Sequence, residues 1–236
     1  MSTLARRAAA EFTGTALLVM AVVGSGVMAS RLSPDDVGLQ LLQNSLATGA
    51  ALVALIVALQ PVSASFNPVV TLAERVLGML DTRTAAGLIA AQFAGGLAGS
   101  VLANLMFGLD ALTFSNHERT GAGLWLGEVI ATAGLLVIVF GTLRSGRTDR
   151  VAFAVGGYIT AAYWFTSSTS FANPAVTAAR TITDTFAGIA PASAPGFILA
   201  QLLGGAVGFV LVRALYPAPA APAPASEYPP AKDQSR

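Results

Sequence analysis

Six long stretches of this chain contain no Asp, Glu, Lys, Arg or His: residues 12–30, 37–73, 84–109, 120–143 (broken once, by Glu128), 151–179 and 185–212. A helix needs about 20 largely apolar residues to cross the hydrocarbon core of a bilayer. Each stretch therefore predicts one span, at residues 9–30, 39–60, 85–107, 124–144, 150–166 and 196–215. Two stretches are too long for a single crossing. In both, the surplus follows a helix-length segment and holds an Asn-Pro pair, Asn67-Pro68 or Asn173-Pro174. A fold for this chain has to place these two surpluses at membrane depth.

Composition agrees with lipid as the solvent: 11% of residues are charged and 54% are hydrophobic, against roughly 25% charged in soluble domains. A formal net charge of +1 gives no basic footprint for nucleic acid. With no cysteine and His117 as the single histidine, thiolate and multi-histidine metal sites are excluded, and no cofactor is called for. Arg6 and Arg7 ahead of an apolar run resemble a secretory signal, but Glu11 and Gly14 interrupt that run, and the repeat described below needs a helix there.

Lys and Arg are enriched in cytoplasmic loops. Six spans with an internal N-terminus leave only Arg31, Arg119 and Arg180 outside, of 13 Lys and Arg, so both termini are expected in the cytoplasm. Residues 1–216 read as one channel domain, with residues 217–236 a disordered Pro/Ala-rich cytoplasmic tail.

Three landmarks align the halves, about residues 8–107 and 122–216: Glu11 with Glu128, Asn67-Pro68 with Asn173-Pro174, and Gln92 with Gln201. Around the glutamines the pattern AQxxGGxxG recurs residue for residue at Ala91–Gly99 and Ala200–Gly208. Each half holds three spans, an odd number, so the second enters the membrane from the opposite face. In such inverted repeats, broken apolar segments at matching positions mark the solute pathway. The glycines are read as close helix packing. Glu11 and Glu128, costly inside a span, are read as supports that accept hydrogen bonds from the irregular loop of their own half.

Asn is a strong N-cap, and Pro fits the first helical position because its missing N–H would be an orphan there. Each Asn-Pro therefore starts a helix. From Asn67 to about Leu77 that helix is roughly 15 Å long, half of a ~30 Å core. The loops before it, residues 61–66 and 166–172, are irregular, which membrane depth tolerates only against protein or a wet cavity. Two half-helices entering from opposite faces bring their positive ends together at the midplane. There the amides of Asn67 and Asn173 orient a passing oxygen, while the field rejects cations and hydrated protons.

At this point the chain resembles the major intrinsic protein family of aquaporins and aquaglyceroporins, from Ala10 to Tyr216. The boxes Ser65-Phe66-Asn67-Pro68-Val69-Val70-Thr71 and Phe171-Ala172-Asn173-Pro174-Ala175 carry the resemblance. It implies an all-α membrane protein: an aquaporin-like right-handed bundle of six transmembrane helices plus two re-entrant half-helices, arranged as an inverted repeat. It also implies a pore in every protomer and a homotetramer in the bilayer. The first box has Val69 where the family usually has Ala. The second has Val176 where the family usually has an Arg that narrows the outer constriction, and Arg180 follows one turn later, within reach of the pore mouth, although surface or loop packing is the favoured expectation. By the family's offsets the constriction falls on Thr48, Ala161, Ser170 and Val176, a filter with no ring, histidine or charge.

Such a filter implies passage of small neutral solutes larger than water. The stretch Phe165–Thr177 is also similar to a bacterial branch associated with arsenic resistance, which implies undissociated arsenite beside polyols such as glycerol, in a bacterial inner membrane. A mainly water- or glycerol-conducting channel is the alternative, and a secondary transporter is a more distant one, since ion coupling needs midplane charge. An enzyme is not expected: Ser167, Ser168 and Ser170 lack a base within reach, His117 being placed in an outside loop.

Overall fold

The structure is a computed structural model and describes residues 3–216; the tail lies outside the described residues. All regular secondary structure among these residues is helical: α1 (Thr3–Leu32), α2 (Val37–Leu59), α3 (Pro68–Val76), α4 (Thr82–Met106), α5 (Ala122–Arg144), α6 (Val151–Phe165), α7 (Pro174–Ala179) and α8 (Ala194–Leu215). Five of them are long and apolar enough to cross a membrane by themselves. The sixth span, α6, has 15 residues and is extended by a 3-10 turn at Thr148–Arg150. Together they reach about 28 Å, close to the ~30 Å of a hydrocarbon core.

Helix starts follow local chemistry. Asp36 and Asp81 cap α2 and α4 by accepting the amides of Leu39 at 2.8 Å and Thr84 at 2.9 Å. Asn67 and Asn173 cap α3 and α7, each with proline at the first helical position. The two short helices fill the surpluses that the long charge-free stretches left over.

Within the first half α1 packs on α2 and α4, and within the second α5 packs on α6 and α8. The halves meet where α2 lies on α6, and they also cross over, α4 carrying α7 and α8 carrying α3. The glycine pattern is the means. A Cβ at Gly95 or Gly99 would lie 2.3–2.4 Å from a carbonyl oxygen of α1, and at Gly204 or Gly208 it would lie 2.5–2.7 Å from one of α5. Helix backbones come this close in lipid only through residues without side chains. Large apolar residues also remain on the outer faces, among them Leu46, Leu102, Ile130, Phe153 and Val210. Helices apolar all round are those of a chain solvated by lipid.

Candidate functional site

The loops before α3 and α7 turn sharply at membrane depth. Phe66, Thr169, Ser170 and Ala172 have φ of 48°, 61°, 52° and 49°, a left-handed conformation that L-residues hold only where surroundings enforce it. At Phe66 and Ala172 the enforcement comes from two fully buried carboxylates. Glu11 accepts from the amides of Ser65 at 2.9 Å and Phe66 at 2.7 Å, from Ser63 Oγ at 2.6 Å and from Gln92 Nε2 at 2.8 Å. Glu128 accepts from the amides of Phe171 at 2.9 Å and Ala172 at 2.8 Å and from Gln201 Nε2 at 2.6 Å. Gln92 and Gln201 also donate to Thr71 and Thr177, on the half-helices, at 2.9 and 2.8 Å. One Glu, one Gln and one Thr thus tie each re-entrant segment to two spans of its own half.

The half-helices meet cap to cap. Asn67 Oδ1 accepts from the amide of Val69 at 2.9 Å, and Asn173 Oδ1 from those of Ala175 at 3.0 Å and Val176 at 3.2 Å. Their Nδ2 atoms reach across the repeat: Asn67 donates to Ala172 O and Asn173 to Phe66 O, both at 2.7 Å. The acceptors are the two left-handed residues that precede the caps, so the unusual φ aims each carbonyl at the opposite half. Each amide commits one hydrogen to this clasp and keeps a second, since an NH2 group has two.

Both asparagines line a cavity of about 270 Å³ that runs the length of the bundle, from Arg7 and Glu74 at one mouth to Arg180 at the other. Its wall has two sides. Leu18 and Val22; Thr48, Leu52 and Ile56; Leu135, Val139 and Leu143; and Val151, Val155, Ile159 and Tyr163 form stripes from α1, α2, α5 and α6. Every stripe repeats at four residues, the spacing of one helix face. The loops Ser63–Asn67 and Ser170–Asn173 form the polar side opposite. Ser170 Oγ is buried with no hydrogen-bond partner among the described residues.

Of the residues assigned to a constriction, Thr48, Ser170 and Val176 line this cavity, and Ala161 does not. Ala161 is exposed on the opposite face of α6, because two residues turn a helix by about 200°. Tyr163 takes that place: it is 4% exposed, and its hydroxyl lies 3.2 Å from Thr48 Oγ1. The four-residue stripe beginning at Val151 was the signal that identifies it. Arg180 is the second correction. It does not pack on the surface; it is 3% exposed and lines the cavity. Its Nε donates to Ala187 O, and its guanidinium stacks 3.4 Å from the centroid of Phe171. The pathway therefore holds a ring and a charge where none was expected.

Arg180 also borders a second cavity of about 390 Å³, lined by Gln40, Asn44, His117, Arg119, Thr169 and Phe186 among others. The Arg119 guanidinium lies 5.1 Å from the same Phe171 ring, and its Nε donates to Gly188 O at 2.9 Å. Arg180 thus stands between the long conduit and a vestibule edged by basic groups.

The sequence profile described as Major intrinsic protein matches residues 1–162. Aquaglyceroporin AqpS of Rhizobium meliloti (strain 1021) is 51% identical over 211 residues, covering 89% of this chain and 90% of that protein. Aquaporin Z of Photorhabdus laumondii is 30% identical over 162 residues, covering 62% of this chain and 67% of that protein. Among solved structures, the aquaglyceroporin from Plasmodium falciparum aligns with a TM-score of 0.64 at 17% identity, over 89% of this chain and 93% of that one, a likeness of fold. Profile, close relative and fold agree that this chain belongs to the major intrinsic protein family.

Proposed function

We propose that the chain is a passive, two-way channel for small neutral hydroxylated solutes, polyols such as glycerol and uncharged metalloids such as arsenite, and that it excludes ions and protons. It acts as a homotetramer in a bacterial plasma membrane with both termini cytoplasmic, so the Glu74 mouth faces the cytoplasm and the Arg180 mouth faces out. The carrying observation is the two-sided wall. Apolar stripes oppose the loop residues Ser63–Asn67 and Ser170–Asn173, with the unpartnered Ser170 hydroxyl among them, which suits a solute with hydroxyls on one flank and an apolar remainder on the other. Water alone gains nothing from the apolar flank. The similarity to Aquaglyceroporin AqpS points the same way.

On this reading Thr48, Tyr163, Ser170 and Val176 form the filter, and the short Val176 side chain sets its width. Asn67 and Asn173, with Pro68, Val69, Pro174 and Ala175 around them, form the midplane barrier to charge. The alternative, a channel mainly for water or glycerol, differs in what the filter passes. A secondary transporter is opposed by the clasp, which bonds the halves to each other at the site they would have to open.

Stopped-flow light scattering of proteoliposomes under water, glycerol and arsenite gradients tests the proposal. Permeability to glycerol and arsenite is expected; permeability to water alone overturns it. Val176→Arg should lower glycerol and arsenite flux by about tenfold or more and leave water flux less affected. Unchanged flux of the larger solutes would remove Val176 from the filter.

A further inference from the structure

Two guanidiniums stand at the Arg180 mouth, and one short loop sets both. Phe186, Ala187 and Gly188 present three successive carbonyls: Arg180 Nε donates to Ala187 O, Arg119 Nε to Gly188 O at 2.9 Å and Arg119 Nη2 to Phe186 O at 3.5 Å. Both groups also lie over the Phe171 ring, at 3.4 and 5.1 Å from its centroid. Loop and ring thus hold two cations together on the wall of the same 390 Å³ cavity. Among the described residues no hydrogen bond takes up the Nη hydrogens of Arg180.

This pair lacks a counter-charge. Arg180 is 3% exposed and Arg119 is half-buried, and among the described residues neither has a carboxylate within ion-pair distance. No Asp or Glu lines the cavity among those residues, whereas His117 does. Glu128 lies within electrostatic reach of both arginines, but its oxygens are taken by the amides of Phe171 and Ala172 and by Gln201. On the neighbouring loops Glu118 and Asp184 are exposed, and Asp184 is bonded to Asn116.

A buried charge left unpaired is costly, and a second charge of the same sign beside it adds repulsion. An anion in the cavity relieves both. A planar carboxylate is satisfied by one guanidinium fork, whereas a tetrahedral oxyanion has oxygens enough for two. Thr169 adds a hydroxyl on the same wall. Arg180 lines the conduit as well, so a ligand on its guanidinium sits at the end of the pathway. We propose that the second cavity is a binding site for a phosphate-type tetrahedral oxyanion, which docks on Arg119 and Arg180 and obstructs the conduit without entering it.

The site is read from this cavity alone; only its effect on flux rests on the proposed channel, and the test keeps the two apart. Purified full-length chain in a phosphate-free detergent is titrated by calorimetry with inorganic phosphate, with a soluble short-chain phosphatidic acid and with chloride. Saturable binding of inorganic phosphate identifies the free ion as the ligand; binding of the phosphatidic acid alone identifies a lipid headgroup as the source of the same group. Arg119→Gln should weaken the binding about tenfold or more. In proteoliposomes with phosphate on both sides, wild-type water flux should fall saturably relative to chloride at equal ionic strength. Arg119 does not line the conduit, so Arg119→Gln should match wild-type water flux in chloride and keep it in phosphate. If that variant does not reach the membrane, His117→Glu, at an exposed position on the cavity, takes its place and should show a partial loss of binding. Wild-type protein that binds neither phosphate compound above chloride overturns the proposal, as does a variant that conducts water and keeps wild-type phosphate affinity. Phosphate binding that leaves water flux unchanged overturns the obstruction. Vesicles that pass water but neither glycerol nor arsenite would instead overturn the solute assignment and leave the calorimetry standing.

Discussion

At the scale of single residues, the fit between the two halves can be tested one side chain at a time. Val69 stands where the second half has Ala175, and its extra methyls sit over Gly205, where a Cβ would come within 2.4 Å of Val69 Cγ1. Gly205→Ala should therefore cost about 1–3 kcal/mol by overpacking. Adding Val69→Ala should recover most of that loss, as read by thermal unfolding in detergent; an additive double variant would mean that the two do not share the space. Glu128 offers a sharper case. Replacing it with Gln puts an NH2 group where Phe171, Ala172 and Gln201 all present donors. Each buried donor left without an acceptor costs about 1–3 kcal/mol, so Glu128→Gln should lower thermal stability and solute flux together, although it is nearly isosteric.

At the scale of elements, the short helices are held by their caps and by the opposite half more than by their own length. Helices of nine and six residues are far below what is stable in isolation. Asn173→Ala removes the cap bonds to Ala175 and Val176 and the bond to Phe66 O. A lost cap costs about 0.5–2 kcal/mol, and the clasp bond adds to it, so this variant should unfold at lower temperature than Thr177→Val, measured by the same thermal scan. Much of the architecture was legible in the sequence because lipid leaves few options: charge-free runs have to be helices, and their surpluses have to be capped and covered. The repeat was legible because Glu, Asn-Pro and Gln recur in order. The constriction was less legible. An offset counted back from Asn173 crosses an irregular loop before it enters α6, and there an error of two residues exchanges the lumen face for the lipid face, hence Ala161 for Tyr163. Surface or loop packing was favoured for Arg180 over a reach toward the pore mouth because its burial depends on the Ala187 carbonyl and the Phe171 ring, partners that no local pattern announces.

At the scale of the molecule, the chain presents apolar faces outward and keeps its polar groups along one axis. The absence of cysteine makes orientation directly testable with a membrane-impermeant maleimide. His117→Cys, at an exposed position on the second cavity, should label in intact cells. Arg147→Cys, in the exposed turn between α5 and α6, should label only after permeabilisation; the reverse pattern would invert the topology. The reciprocal bonds from Asn67 to Ala172 and from Asn173 to Phe66 also bear on how such a protein is made. Neither re-entrant segment can complete its cap environment until the other half of the polypeptide exists. A ribosome that has produced only α1 to α4 has three spans in place and a turn held by Glu11 and Gln92 but without its acceptor across the repeat. Maturation therefore ends with a late joint closure after Phe171–Asn173 emerges, and quality control in the membrane has until then to tolerate, or to shield, an unfinished first half.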